Sequence, residues 1–294
     1  MRLYGLITVL LVAVLSLGLI IAIGCGGDDD DDDSGSDDDA TGDDDDGGGD
    51  YEPGSGYLSA YVRDFQTKAE VQGAIVELVD NATGIALGSA WKTESASGEG
   101  QGYVEFTNVP DELDQVGVRV TKEGNHPTYQ YYFDVGSVDE EFLLVSRSTS
   151  SLVAGLLGLA LDPEAGFAAG AIYWGDPSDE NPVGCAVVQT DPDPIDGIYY
   201  FGPDNLPNPA RNVDPNVPEN AANSTGVNPQ NGYWIGINIA AGTTVDVTAT
   251  GGTNRDVVES VTIPMSFPDS VTIANIYYSF GDYSANPQGS WCTE

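Results

Sequence analysis

Three carboxylates in the second half of the chain are spaced closely enough to share a metal ion. They are Asp191, Asp193 and Asp196, and Gly197 follows them directly. An EF-hand loop places its first ligands at positions 1, 3 and 5, a glycine at position 6 and a glutamate at position 12. Here the third acid comes one position late, and no glutamate stands at the required distance. The spacing suggests a weak Ca²⁺ site, with an acidic turn as the alternative, and no other cofactor is expected.

Aromatic residues are the second group with a chemical use. They occur as adjacent pairs, and neighbouring side chains of a strand point to opposite faces of the sheet. One ring of each pair is therefore expected in the core, while an exposed ring would offer a stacking platform for sugars. The stacking candidates are Trp174, Tyr200 and Trp234. In the alternative, loops cover the outer face and both rings of each pair are packed.

Catalytic motifs are scarce in this sequence. Ser89 and Lys92 have a Ser-x-x-Lys spacing, but that motif requires a helix and two partner motifs that the chain lacks. The single histidine, His126, precedes Pro127 in an expected turn, and no catalytic role is assigned to it. We therefore predict that the protein is not an enzyme. A hydrolase of the cell envelope with an unfamiliar carboxylate pair is the alternative.

The first 24 residues have the features of an export signal. Arg2 precedes an apolar segment over 3–23, and small residues follow before Cys25. This junction resembles the lipobox of bacterial lipoproteins, although Ala22 stands where leucine is more common. The resemblance implies a signal peptide over 1–24 and a lipid on Cys25, which becomes the first residue of the mature chain. An uncleaved membrane helix is the alternative, because the apolar segment is long enough to span a bilayer.

The other two cysteines are Cys185 and Cys292. If Cys25 carries lipid, these two remain in an oxidising compartment, where an even number of cysteines can pair. We therefore predict a disulfide between them, with two buried free thiols as the alternative.

An acidic tether is expected behind the anchor, over 25–56. Residues 26–50 are nearly all Gly, Asp and Ser, and they hold 14 of the 47 acidic residues of the chain. Such a segment buries no apolar surface, so it is expected to stay disordered and extended by its own charge. The whole chain has 9 basic residues and a formal net charge of −38. That charge excludes binding to nucleic-acid phosphates, which requires clustered Lys and Arg.

Residues 57–150 contain short alternating segments separated by turns, which predict an antiparallel β-sandwich. One of them is 103–106, where Val104 and Phe106 alternate with Glu105. The order of these segments resembles that of carboxypeptidase regulatory-like domains, and the motifs that carry the resemblance are 62–64, 71–76, 83–84, 92–93, 102–106, 108–110, 116–120 and 124–127. The resemblance implies a transthyretin-like sandwich without catalytic residues. Asn125 stands where that family usually has tyrosine.

Residues 151–294 are expected to form a second sandwich, either a diverged copy of the first or an Ig-like domain. The segment 182–188 is similar to the Gly-Ala-x-Val strand at 73–76, and the run 238–249 again resembles the regulatory-like pattern. A long insertion rich in Pro and Asn lies between these two segments.

These features together predict an all-β protein that is held at a membrane by its lipid anchor, in the outer membrane or at the cell surface. We predict a non-catalytic binding or structural role for it. Its partner would be an envelope protein or a glycan, with a carbohydrate-binding module as the main alternative.

Overall fold

The computed structural model describes residues 51–98, 100–174, 181–183, 186–201, 206–208, 232–251 and 257–278. All of them belong to the second of the two units into which the chain divides, Asp45–Glu294. Within these ranges there is one α-helix, α1 (Arg147–Leu157), and a short 3₁₀ helix at Ser89–Trp91. The strands are β1 (Gly56–Asp64), β2 (Ile75–Val79), β3 (Lys92–Glu94), β4 (Tyr103–Val109), β5 (Gln115–Thr121), β6 (Thr128–Asp134), β7 (Glu140–Leu144), β8 (Ala165–Trp174), β9 (Asn181–Pro182), β10 (Val187–Asp191), β11 (Ile198–Phe201), β12 (Pro207–Asn208), β13 (Tyr233–Ala240), β14 (Val245–Gly251), β15 (Val257–Ile263), β16 (Val271–Ile273) and β17 (Ile276–Tyr278).

The predicted all-β class is confirmed. Strands β1–β7 form a first sandwich, in which a sheet of order β4-β1-β7 faces β3, β2, β5 and β6. Its core is a closed set of apolar side chains that includes Leu58, Val76, Val118 and Phe142. In β4 the side chains of Val104 and Phe106 are buried and that of Glu105 is exposed, as the alternation predicts.

Strands β8–β17 build a second sandwich. The sheet β10-β14-β15 faces strands β8, β11 and β13, and the core between them contains Ile172, Tyr200, Trp234 and Val247. Most pairings are antiparallel, as expected. Between the strands that the structure describes, four pairings are parallel, namely β1 with β7, β16 with β6, β16 with β8 and β17 with β8.

One sheet runs through both sandwiches. Its order is β12-β11-β13-β8-β16-β6-β5-β2-β3, and we call it the shared sheet. Strand β16 joins its two halves, because Val271 pairs with both Thr128 of β6 and Phe167 of β8. The proposed boundary between 57–150 and 151–294 stays a prediction, but hydrogen-bonded strands continue across it.

Helix α1 was not predicted, and it begins and ends with ordinary capping signals. Ser146 is the N-cap, and its side chain accepts a hydrogen bond from the Thr149 N–H at 3.1 Å. Gly158 ends the helix in the left-handed conformation, with φ of 70°. The buried side chain of Val153 joins an apolar cluster with Val145, Phe167 and others on the shared sheet. The helix therefore covers one face of that sheet.

Candidate functional site

The described residues form a cleft of about 1100 Å³, lined by residues of both sandwiches. Helix α1 supplies part of its wall through Leu152, Val153 and Leu156. The rest comes from strands β5–β8, β11–β13 and β15–β17, from the connections between them, and from the segment 65–68 after β1. The cleft therefore depends on the continuity of the shared sheet, which holds these elements side by side.

Exposed apolar side chains are concentrated in this cleft. Among the described residues, eight large hydrophobic side chains are exposed. Five of them line the cleft, namely Tyr132, Val138, Leu152, Leu156 and Leu206. Contiguous exposed apolar surface is uncommon in soluble domains and marks interaction sites.

The charged residues that line the cleft are mostly acidic. The described lining contains five acidic residues and one basic residue, which are Asp134, Asp139, Glu140, Glu141, Glu259 and Lys68. Lys68 is already paired, since its Nζ lies 3.0 Å from Glu141 Oε1. The cleft therefore combines an apolar lining with a net negative charge.

Tyr132 connects two walls of the cleft. Its hydroxyl donates a 2.7 Å hydrogen bond to the Thr262 carbonyl in β15, and its N–H donates to Asn81 Oδ1 at 3.1 Å. Its φ is +69°, a conformation that costs a residue with a side chain of the order of 1 kcal/mol or more. Partial burial raises the pKa of its hydroxyl. The two hydrogen bonds hold this strained residue in place between the sandwiches.

A second polar arrangement adjoins the cleft at the start of α1. His126 is 3% exposed, and its Nε2 lies 2.7 Å from Ser150 Oγ. Its Nδ1 lies 3.0 Å from the carbonyl oxygen of Asp269 and 3.1 Å from Asp269 Oδ1. Arg147 holds the same carboxylate with both guanidinium Nη atoms, one of them at 2.8 Å, and these hydrogen bonds lower the pKa of Asp269. Ser150 lines the cleft and His126 lies behind it.

The aromatic residues predicted to stack on sugars are placed differently. Tyr200 is 0% exposed and Trp234 is 1% exposed, so neither ring presents a face to solvent. Tyr200 packs in the core of the second sandwich, where its hydroxyl accepts a 2.7 Å hydrogen bond from the Val188 N–H of the facing sheet. Trp234 fills the core of the second sandwich. Trp174 is the last residue of β8, and the structure describes its backbone but not its side chain.

The three carboxylates of the predicted Ca²⁺ loop do not converge. Asp191 ends β10, and Asp191 and Asp193 are exposed. Asp196 instead accepts a hydrogen bond from the Asn238 side chain. Among the residues that the structure describes, no group of three or more His, Cys, Asp or Glu is arranged to hold a metal ion.

The remaining predicted sites fall on residues without a description. Cys25, Cys185 and Cys292 all lie outside the described ranges. In the part of the chain that is described, no helix is long and apolar enough to cross a membrane.

Ser89 and Lys92 do not form a helical pair, because Lys92 begins β3 and its Nζ lies 2.9 Å from Glu77 Oε1.

Sequence reasoning missed Ser150, Asp269 and the leucines of α1. Ser150 lies far from both His126 and Asp269 along the chain, and no motif of fixed spacing joins the three. The one local signal was a capping residue, Ser146, followed by Leu152, Val153 and Leu156 at helical spacing.

Comparison with known proteins does not assign this chain to a family. No family model matches the chain, and no curated protein matches it. Among solved structures, a streptococcal ancillary pilin is 12% identical with a TM-score of 0.21, over 76% of this chain and 62% of that one. A minor pilin of Streptococcus agalactiae is 8% identical with a TM-score of 0.23, over 75% and 95% of the two chains. A mutant of the major pilin of Streptococcus pyogenes is 11% identical with a TM-score of 0.20, over 77% and 100%. TM-scores this low establish neither a shared fold nor a shared function.

Proposed function

We propose that this chain is a non-catalytic lipoprotein of the cell envelope that binds a partner through its cleft. The observation that carries the proposal is the concentration of exposed apolar side chains there, five of the eight found among the described residues. A purely structural spacer would have no need to leave them uncovered.

The anchor and tether give the cleft its location. In this proposal Cys25 carries the lipid, and residues 26–50 hold the sandwiches away from the membrane at the outer membrane or cell surface. The predicted end of the tether at residue 56 is too late, because Tyr51 packs against the core of the first sandwich and Gly56 belongs to β1. A stretched segment of about 25 residues reaches roughly 80 Å. The acidic residues of the tether repel one another and favour such extension.

We further propose that 57–150 is a carboxypeptidase regulatory-like domain and that 151–294 contains a diverged second one. The two-sheet arrangement of β1–β7 around a single core supports the first assignment. Modules of this kind accompany other activities without catalysing a reaction themselves. That agrees with the absence of catalytic motifs in the sequence.

The chemistry of the cleft favours one class of partner. An apolar lining with net negative charge is complementary to an envelope protein segment that presents apolar side chains flanked by Lys or Arg. Opposite charges at the rim would speed association and exclude acidic competitors. Two of the three rings on which the carbohydrate alternative depended, those of Tyr200 and Trp234, are buried.

The anchor is tested by expressing the full chain in a bacterial host. We expect detergent-phase partitioning and a lipid mass on Cys25, while Cys25→Ser stays unlipidated and leaves the detergent phase. An intact N-terminus with unmodified Cys25 in the wild type would contradict the proposal.

The cleft is tested with a neutral apolar dye, N-phenylnaphthylamine, and two peptides of equal apolar content but opposite charge. We expect dye fluorescence and binding of the basic peptide, and we expect both to fall several-fold in the double variant Leu152→Ser, Leu156→Ser. The matched control is Ile195→Ser, because Ile195 is 71% exposed and lies outside the described lining. Equal binding by both variants, or tighter binding of the acidic peptide, would show that the cleft is not the site.

A further inference from the structure

One strand that lines the cleft has an open edge. Among the described strands, β15 is the outer member of the sheet β10-β14-β15 and pairs with β14 alone. Its residues 259–263 line the cleft, and the side chains of Val258, Ser260 and Thr262 are exposed. An open strand edge is a template on which another extended chain can add a strand.

Two hydrogen bonds show which backbone groups of β15 face this edge. In an antiparallel ladder, successive residues alternately direct their N–H and carbonyl groups at the partner strand and away from it. The Thr262 carbonyl accepts from the Tyr132 hydroxyl, so Thr262 faces away from β14. On the other side of β14, the Val188 N–H bonds to a tyrosine hydroxyl instead of β14, so Ala249 opposite it directs its groups to Glu259. Residues 258, 260 and 262 therefore present their backbone groups to the open edge.

Ser260 is the residue of this edge that is most available to a partner strand. Tyr132 already occupies the carbonyl of Thr262. Among the described residues, none bonds to the Ser260 N–H or carbonyl from the open edge. A residue with both groups directed outward can form two hydrogen bonds with one residue of an antiparallel strand. Main-chain bonds of this kind supply affinity when a peptide extends a sheet.

The side chains next to Ser260 specify what an added strand would carry. Glu259 and Val261 point to the opposite face of β15 from Ser260, and both are half-buried in the cleft lining. Val261 packs against the core of the second sandwich. The Glu259 carboxylate has no hydrogen bond or ion pair with another described residue. Side chains directly across two strands interact, so a cation is favoured beside Glu259 and an apolar group beside Val261.

We propose that the cleft holds its partner by strand addition, in which an extended segment of an envelope protein pairs antiparallel with β15 at Ser260. The inward side chains of that segment stand at every second position and combine Lys or Arg with an apolar residue. Strand addition rests on the binding function proposed above and specifies how the partner is held. A second copy of this chain is a poorer occupant, because its net charge of −38 would be brought against an acidic cleft.

The experiment titrates the folded full chain with a peptide in which lysine and valine stand at alternate positions and threonine separates them. We expect it to bind about tenfold more tightly than a peptide of the same composition in which lysine and valine are adjacent. In an antiparallel pair the threonine amides face β15, so N-methylation of one of them should weaken binding about tenfold. N-methylation of a lysine or valine amide is the matched control and should have little effect.

Variants of β15 test the same contacts from the protein side. Ser260→Pro removes the N–H that the added strand requires and should weaken binding about tenfold, since an edge strand tolerates proline where its N–H faces outward. Ser260→Ala keeps the N–H and should bind like the wild type. Glu259→Gln should weaken binding of the lysine peptide several-fold and leave a peptide with glutamine in place of lysine unaffected.

Equal binding of the alternating and rearranged peptides, or equal effects of the two methylation patterns, would overturn strand addition. The cleft would still be the binding site if both peptides were lost in the double variant Leu152→Ser, Leu156→Ser. If no peptide binds, strand addition fails, and the dye measurement reports on the cleft separately. Dimers of the wild type that Ser260→Pro abolishes would show that the occupant is a second copy, which would contradict the proposed partner.

Discussion

One tyrosine hydroxyl forms a hydrogen bond between the two sheets of the second sandwich. Tyr200 comes from the shared sheet, and its oxygen accepts the Val188 N–H of the facing sheet at 2.7 Å. Both residues are fully buried. Removing one partner of a buried hydrogen bond lowers the free energy of unfolding most when the other partner is left buried without a hydrogen bond.

We expect Tyr200→Phe to destabilise the fold by about 1–3 kcal/mol, because it leaves the Val188 N–H buried without this acceptor. Tyr199→Phe is the control, since the Tyr199 hydroxyl makes no hydrogen bond to another described residue. Its effect should stay within about 0.5 kcal/mol. Urea unfolding of the two variants measures the difference, and equal losses would contradict this role of the hydroxyl.

The ion pair of Arg147 with Asp269 is predicted to make stability depend on pH. Hydrogen bonds from Arg147 lower the pKa of Asp269, so the folded state is stabilised above the ordinary aspartate pKa. That stabilisation is lost as the pH falls through the lowered value. Arg147→Gln should therefore destabilise the protein near neutral pH, by at most about 1 kcal/mol for so exposed a pair.

Urea unfolding across the acidic range tests this expectation. The difference between wild type and Arg147→Gln should shrink as Asp269 becomes protonated. A difference that stays constant from neutral to strongly acidic pH would show that Asp269 titrates alike in the folded and unfolded chains.

The elements divide into those that local patterns predict and those that depend on distant parts of the chain. Strand β4 follows its alternation, with Phe106 inside and Glu105 outside. Helix α1 was missed because its first half is rich in serine and threonine, and its apolar residues are confined to the second half, 152–157. The stacking role of Trp234 was wrong for a different reason. Alternation shows that one ring of a pair faces each side of a strand, but not which side a second sheet covers.

The cleft and the contacts of His126 could not be predicted from spacing. Ser150, His126 and Asp269 come from α1, the approach to β6 and the approach to β16. They meet only because β16 pairs with both β6 and β8. A single sequence contains no signal for that pairing.

Gly170 shows how tightly β8 is enclosed. A Cβ added there would overlap the Ala274 carbonyl at a distance that real structures do not show. We expect Gly170→Ala to cost about 1–3 kcal/mol through overpacking. The control, Gly155→Ala in α1, meets nothing within 4 Å and should stabilise the helix by up to about 1 kcal/mol. Thermal unfolding compares the two, and similar Tm values would contradict the close approach.

At the scale of the whole molecule, the predicted bond between Cys185 and Cys292 would fasten the end of the chain to the second sandwich. Val183 and Ala186, which flank Cys185, are both fully buried. Such a bond closes a loop of roughly a hundred residues, worth about 5 kcal/mol in the chain-entropy model. We expect the exported protein to have no free thiol at either position and to lose Tm on reduction. Alkylation of both cysteines without reductant would refute the bond.

The pairing of β16 also has a consequence for folding during synthesis. The strand that joins the two halves of the shared sheet is among the last described segments to emerge, yet its partner β6 emerges much earlier. Such long-range pairing gives a high contact order, which slows folding. Until residues 271–273 arrive, β6 is an unprotected edge that is open to pairing with other chains. A nascent chain that is released early would therefore expose the strand on which aggregation is most expected to start.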